Sequence, residues 1–286
     1  MITEIDTVAV ALRAFLYLGT ILSAGACLFK LSFPNASRAV HDSLRLQMLA
    51  GVALVLALEP LRYVLFLLSM AGGDVAVAFA PDMAWMGFEM PPGQASIVRI
   101  AGVLTLGLFG LRYLPLGLLG ALVVVGSYLF EGHSAASEQR LLMAGLLFVH
   151  LGVGHWWIGS LMPLSAATRR LTGADLAHTV EHFGLLATRF VPVLLAAGLL
   201  LLALLVDWKL DLSNPYQQRF LWKILAVSGV LALAGLNKLR LTPLLRLDPE
   251  VGALQLRRSI TFEAGLALLV LFLTAFATST SPEMSP

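Results

Sequence analysis

The chain contains a single cysteine, Cys27. That excludes an intramolecular disulfide and any metal centre built from several thiolates. Charge is equally scarce: 13% of the residues are Asp, Glu, Lys or Arg, while 58% are hydrophobic. A soluble domain carries roughly twice that share of charge, about 25%. No glycine-rich phosphate loop and no Asp-Lys-Thr-Gly phosphorylation motif is present, which excludes a pump driven by ATP. The net charge of +2 says nothing about nucleic acid, because the basic residues are distributed by topology, and no nucleic-acid partner is expected. No catalytic constellation stands out, so the chain is not expected to be an enzyme. Glu4 and Asp6 make the N-terminus acidic, without the basic n-region of a cleavable signal peptide, so the first apolar run is expected to be a retained helix.

What the chain has in abundance is apolar runs of membrane length. Lipid supplies no hydrogen-bond partners, so a spanning segment must satisfy its own backbone, and helices do so within one segment. The expected fold is all-α: one polytopic membrane domain over residues 1–286, in contact with membrane lipid. Eight transmembrane helices are expected near 6–29, 45–70, 94–111, 114–130, 141–163, 184–206, 219–237 and 258–278. Connections after the odd spans carry Lys30, Arg38, Arg45, Arg112, Arg169, Arg170, Lys238, Arg240, Arg246, Arg257 and Arg258. Those after the even spans carry only Arg140, Lys209 and Arg219. The basic side is cytoplasmic, which puts both termini outside.

Three of the six histidines lie between Gly132 and Pro163: His133, His150 and His155. His150 and His155 fall inside the fifth span, where a polar ring is costly and points to function. Met143, His150 and Trp157 recur every seven residues on one helix face, about 10 Å apart. His155 and Met162 share a second face. Imidazole with thioether suits copper in either oxidation state, and thioether favours Cu(I). The alternatives are a methionine that packs and a histidine bonded to a carbonyl on a neighbouring helix. A haem-binding electron carrier, with His150 or His155 as axial ligand, is the other functional reading. It requires a second axial residue on a facing helix.

The loop between the second and third spans carries Met83, Met86 and Met90, which share a face if the segment is helical. It reads either as an interfacial amphipathic helix anchored by Trp85 or as a soft-metal collecting surface. His133 stands on the same side. On the other side, His178 and His182 are spaced for a two-imidazole site or a polar helix start. Charges within spans need partners. Arg13 and Glu59 lie at matching depths and are expected to pair, and Arg99 is expected to snorkel or pair. Glu263 is expected to find Asn237, Lys238 or Arg240.

In order along the chain, these pieces resemble the copper resistance protein D family of bacterial inner membranes. Gly132-His133-Ser134-Ala135-Ala136 is similar to that family's G-H-A-A element. His150 to Pro163 resembles its long His…Trp-x-Gly…Pro helix, matching at His150, Trp157, Gly159 and Pro163. Lys223 with Asn237 to Pro243 resembles the end of its seventh helix, and Leu256 to Glu263 the opening of its eighth. The resemblance implies copper transport across the inner membrane, through sites that include His133 and His150. It also implies a periplasmic copper-binding partner of the CopC type. His155 stands where the family pattern has a small residue.

Overall fold

The computed structural model describes residues 4–131, 139–209, 211 and 213–279. Among the described residues the secondary structure is helical throughout, with no strand. The elements are α1 (Glu4–Ser32), α2 (Arg38–Met70), the short α3 (Val75–Ala78) and α4 (Pro81–Glu89), α5 (Pro91–Phe109) and α6 (Leu114–Ser127). They continue with α7 (Arg140–Arg170), α8 (Gly173–Leu205), α9 (Pro215–Leu236), α10 (Thr242–Leu247) and α11 (Pro249–Thr278). A 3-10 turn, Tyr128–Phe130, extends α6, and a π-helical turn, Asn237–Leu241, joins α9 to α10.

Among the described residues seven helices are long and apolar enough to cross a membrane, and Leu114–Phe130 is a shorter apolar one. Each overlaps one of the expected stretches. Several run further: α7 continues to Arg170 and α8 starts at Gly173. The apolar window marks only what the hydrocarbon must cover, whereas the backbone ladder continues into polar turns. His178 and His182 lie in the opening turns of α8, ahead of the expected apolar stretch.

α1 is the central helix, packed against α2, α5, α6, α7 and α11, and α7 touches α1, α2, α8 and α11. Glycine permits the closest crossings. A Cβ on Gly25 would lie 2.5 Å from the His155 carbonyl oxygen, and one on Gly159 would lie 2.6 Å from the Gly25 Cα. α1 and α7 thus meet backbone to backbone, the small-residue mode of helix association in lipid. Gln47 of α2 ties the crossing together, donating to the carbonyls of Gly159 (2.8 Å) and Leu22 (3.2 Å). The outer faces carry exposed Leu221, Trp222, Leu225 and Phe262, as expected where lipid replaces water.

Candidate functional site

The first polar assembly lies at the acidic end of the bundle. Glu59 of α2 and Arg99 of α5 are fully buried. Nη1 of Arg99 donates to both Glu59 oxygens at 2.9 Å. Arg62, one turn along α2, donates to Glu59 Oε1 at 2.8 Å, and the Ser96 hydroxyl donates to the same oxygen at 2.7 Å. Glu131, just beyond the 3-10 turn, closes the cluster with 2.8 Å to Arg62 and 3.3 Å to Arg99. Two carboxylates thus face two guanidiniums, which is how charge survives at this depth. The expected Arg13–Glu59 pair is not formed. Arg13 instead donates to the Thr278 carbonyl (2.8 Å), where α1 meets the end of α11. Depth along two helices does not say which way each side chain turns, and Glu59 turns toward α5.

Arg99 also stacks over the Tyr128 ring at 4.5 Å. The Tyr128 hydroxyl is 2.8 Å from the Thr20 hydroxyl, which is 3.2 Å from Nε2 of His155. His155 Nδ1 meets the Leu151 carbonyl at 2.7 Å. A carbonyl only accepts, so Nδ1 carries the proton and Nε2 is the acceptor for Thr20. Both nitrogens of His155 are engaged, and the ring is buried between α7 and α1.

His150 faces the other way. Its Nδ1 donates to the Leu194 carbonyl of α8 at 3.0 Å. The ring lies against Gly198, where a Cβ would come within 2.7 Å of His150 Cε1. By the same logic its Nε2 lone pair is left available. Orienting one imidazole nitrogen on a carbonyl so that the other can ligate is the usual second shell of a metal-binding histidine. Met143, two turns away, is buried, whereas Met162 is partly exposed and does not share the buried setting of His155.

A third assembly lies toward the basic end. Glu263 of α11 is buried, Asn237 Nδ2 donates to it at 3.0 Å, and the Trp157 indole borders it. Of the three expected partners, Asn237 is the one used. Lys238 turns to the Thr188 hydroxyl of α8, and Arg240 is exposed. His178 and His182 lie with parallel rings 6.4 Å apart, and His182 stands edge-on to Phe33. Between them Glu181 pairs with Arg246 through two 2.8 Å bonds.

Of the methionine loop, Met83 and Met86 lie on α4, half-buried and exposed respectively. Met90 follows the helix in extended conformation (φ −80°, ψ 154°). The anticipated three-methionine face is therefore cut short, because Pro91 starts the next helix and disfavours helical backbone before it. His133 lies outside the described residues. Among the described residues no three His, Cys, Asp or Glu side chains converge as a metal-binding group. Sequence reasoning missed Thr20, Ser96, Tyr128 and Ser127, whose hydroxyl accepts from Arg99 Nε at 3.1 Å, as members of the polar core. The one available signal was the placement of Ser96 and Arg99 three apart within an apolar run.

The copper resistance protein D family matches residues 177–277, and the family of copper resistance protein D-like N-terminal domains matches residues 3–143. Helices from both matched regions pack directly on one another. A relative in Pseudomonas syringae pv. tomato, described as copper resistance protein D, is 26% identical over 98% of both chains. No solved structure matches.

Proposed function

The chain belongs to the copper resistance protein D family and has a role in copper resistance, and from that premise we propose that it carries copper ions across the bacterial inner membrane, from periplasm to cytoplasm. In this reading Leu114–Phe130 is the eighth span and both termini are periplasmic, which the lysine and arginine distribution supports. In this reading the chain is a transporter rather than an enzyme. A periplasmic copper-binding protein of the CopC type is the donor.

Copper is the cargo. It arrives at the acidic end near Met83, Met86, Met90 and His133, and passes Met143 to reach His150. The observation that carries this path is the His150 bond to Leu194, which occupies Nδ1 and leaves Nε2 available as a ligand. His155 contributes less as a ligand, since both of its nitrogens are already engaged. One thioether and one imidazole are too few for copper, so a facing helix or the partner supplies the remainder.

A haem site with His150 or His155 as axial ligand is disfavoured because it needs a second axial residue, often a histidine, on a facing helix. The histidines within the expected spans all fall on α7, and both nitrogens of His155 are already engaged. Uptake of copper into proteoliposomes tests the proposal. Wild-type protein is expected to load the vesicles and His150→Ala to leave them empty. A haem Soret band in purified protein, without uptake, would favour the alternative.

A further inference from the structure

Glu263 raises a question that the copper path does not answer. It is a carboxylate 3% exposed, inside a membrane-length helix, with no cationic partner among the described residues. The nearest lysine in sequence to its neighbour Asn237 is Lys238, which is committed to Thr188. A lone carboxylate at such a site is either protonated or neutralised by a bound cation.

Two further oxygens favour the cation. Ser259 Oγ and Asn237 Oδ1 are both buried and neither has a hydrogen-bond partner. Ser259, 6% exposed, lies one turn before Glu263 on the same face of α11. Asn237 Oδ1 belongs to the same amide as the Nδ2 that donates to Glu263 at 3.0 Å. Natural proteins leave few buried polar groups unpaired, and each calls for an explanation. The backbone is also irregular here. The π-turn starts at Asn237, whose own carbonyl accepts from Thr242 at 2.8 Å. Such turns are frequent at functional sites.

The donors are a carboxylate, an amide oxygen and a hydroxyl, with no sulfur and no free imidazole. That set suits a hard ion and is poor for copper. One negative charge is balanced by one positive charge. We propose that Glu263, Asn237 and Ser259 form a binding site for a monovalent hard cation, taken as Na+, separate from the copper path. Its use as a coupling ion rests on the transport reading; the binding does not.

The test therefore omits copper. The melting temperature of the purified, metal-free protein is followed at fixed pH and ionic strength as NaCl replaces choline chloride. A ligand that binds only the folded form raises stability in a saturable way. Wild-type protein is expected to gain a few degrees, with the gain absent in Glu263→Gln and reduced in Ser259→Ala. Ser259→Ala removes a hydroxyl that has no bond to lose, so it folds even if Glu263→Gln does not. An equal response to Na+ and choline, or a Na+ response that survives in both variants, overturns the site and leaves a protonated Glu263 with bridging water. A Na+ response in a protein that moves no copper would sustain the site while overturning the transport proposal.

Discussion

Glu59 and Arg99 are 0% and 1% exposed, and the Arg99 Nη1 lies 2.9 Å from the carboxylate. They join α2 to α5, and with Arg62 and Glu131 they form a balanced cluster of two acids and two bases. Removing one member strands its partner without water to solvate it. Breaking a buried pair costs about 3–5 kcal/mol.

Glu59→Gln and Arg99→Gln are accordingly expected to lower the melting temperature in detergent sharply and to reduce the yield of monodisperse protein. Arg13→Gln, which loses bonds at the exposed end of α11, should be mild by comparison. Equal losses for Arg13→Gln and Glu59→Gln would restore the pairing expected from depth alone.

The α1–α7 crossing makes a second prediction. A Cβ on Gly159 would sit 2.6 Å from the Gly25 Cα, and backbone cannot rotate out of the way. Overpacking of this kind costs about 1–3 kcal/mol, so Gly159→Ala should destabilise the fold measurably. Gly145→Ala, on the same helix with nothing within 4 Å of its Cβ, should be neutral or slightly stabilising. Melting curves of the two variants, run side by side, decide the point.

The two intramembrane histidines should respond oppositely to alanine. His155→Ala breaks the buried link between α7 and α1 through Thr20, whose hydroxyl keeps Tyr128 and the Tyr17 carbonyl, a loss of about 0.5–1.5 kcal/mol for the bond. His150→Ala gives up one bond at the α8 interface and should fold nearly as well as wild type, yet take up no copper. Gly198→Ala offers an independent check, since its methyl would meet His150 Cε1 at 2.7 Å and turn the ring aside. It should lower uptake with the imidazole still present. Full uptake by His150→Ala would end the proposed path.

Topology can be read directly. A reporter fused at Arg246, within the basic segment that bears Lys238, Arg240, Arg257 and Arg258, is expected in the cytoplasm. One fused at the acidic Ala71–Pro92 loop is expected in the periplasm. Arg246 on the outside would overturn both the eight-span count and the proposed direction of copper movement.

Much of the site was visible in the sequence as residue types but not as contacts. His150, Trp157, Gly159 and Asn237 each stood out within motifs. The structure gives them distinct tasks: His150 bonds α8, Trp157 borders Glu263, Gly159 admits α1, and Asn237 joins the π-turn to α11. Only Asn237 to Glu263 was anticipated as a pair. Their proximity in sequence to the start and end of adjoining helices gave few alternatives. Arg13 and Arg99 were both at the right depth for Glu59, and nothing local distinguished them.

The sequence alone determined that this is an all-helical membrane protein, where its apolar helices lie and which end of the bundle is basic. Those properties are local, because a bilayer tests each segment for length and hydrophobicity one at a time. The tertiary structure decided which polar groups meet. That choice depends on how each helix is rotated about its axis, and the rotation is set by glycine crossings such as Gly25 with Gly159, more than a hundred residues apart. Turning α7 on that contact sends His155 into Thr20 and leaves His150 aimed at α8, with one nitrogen free.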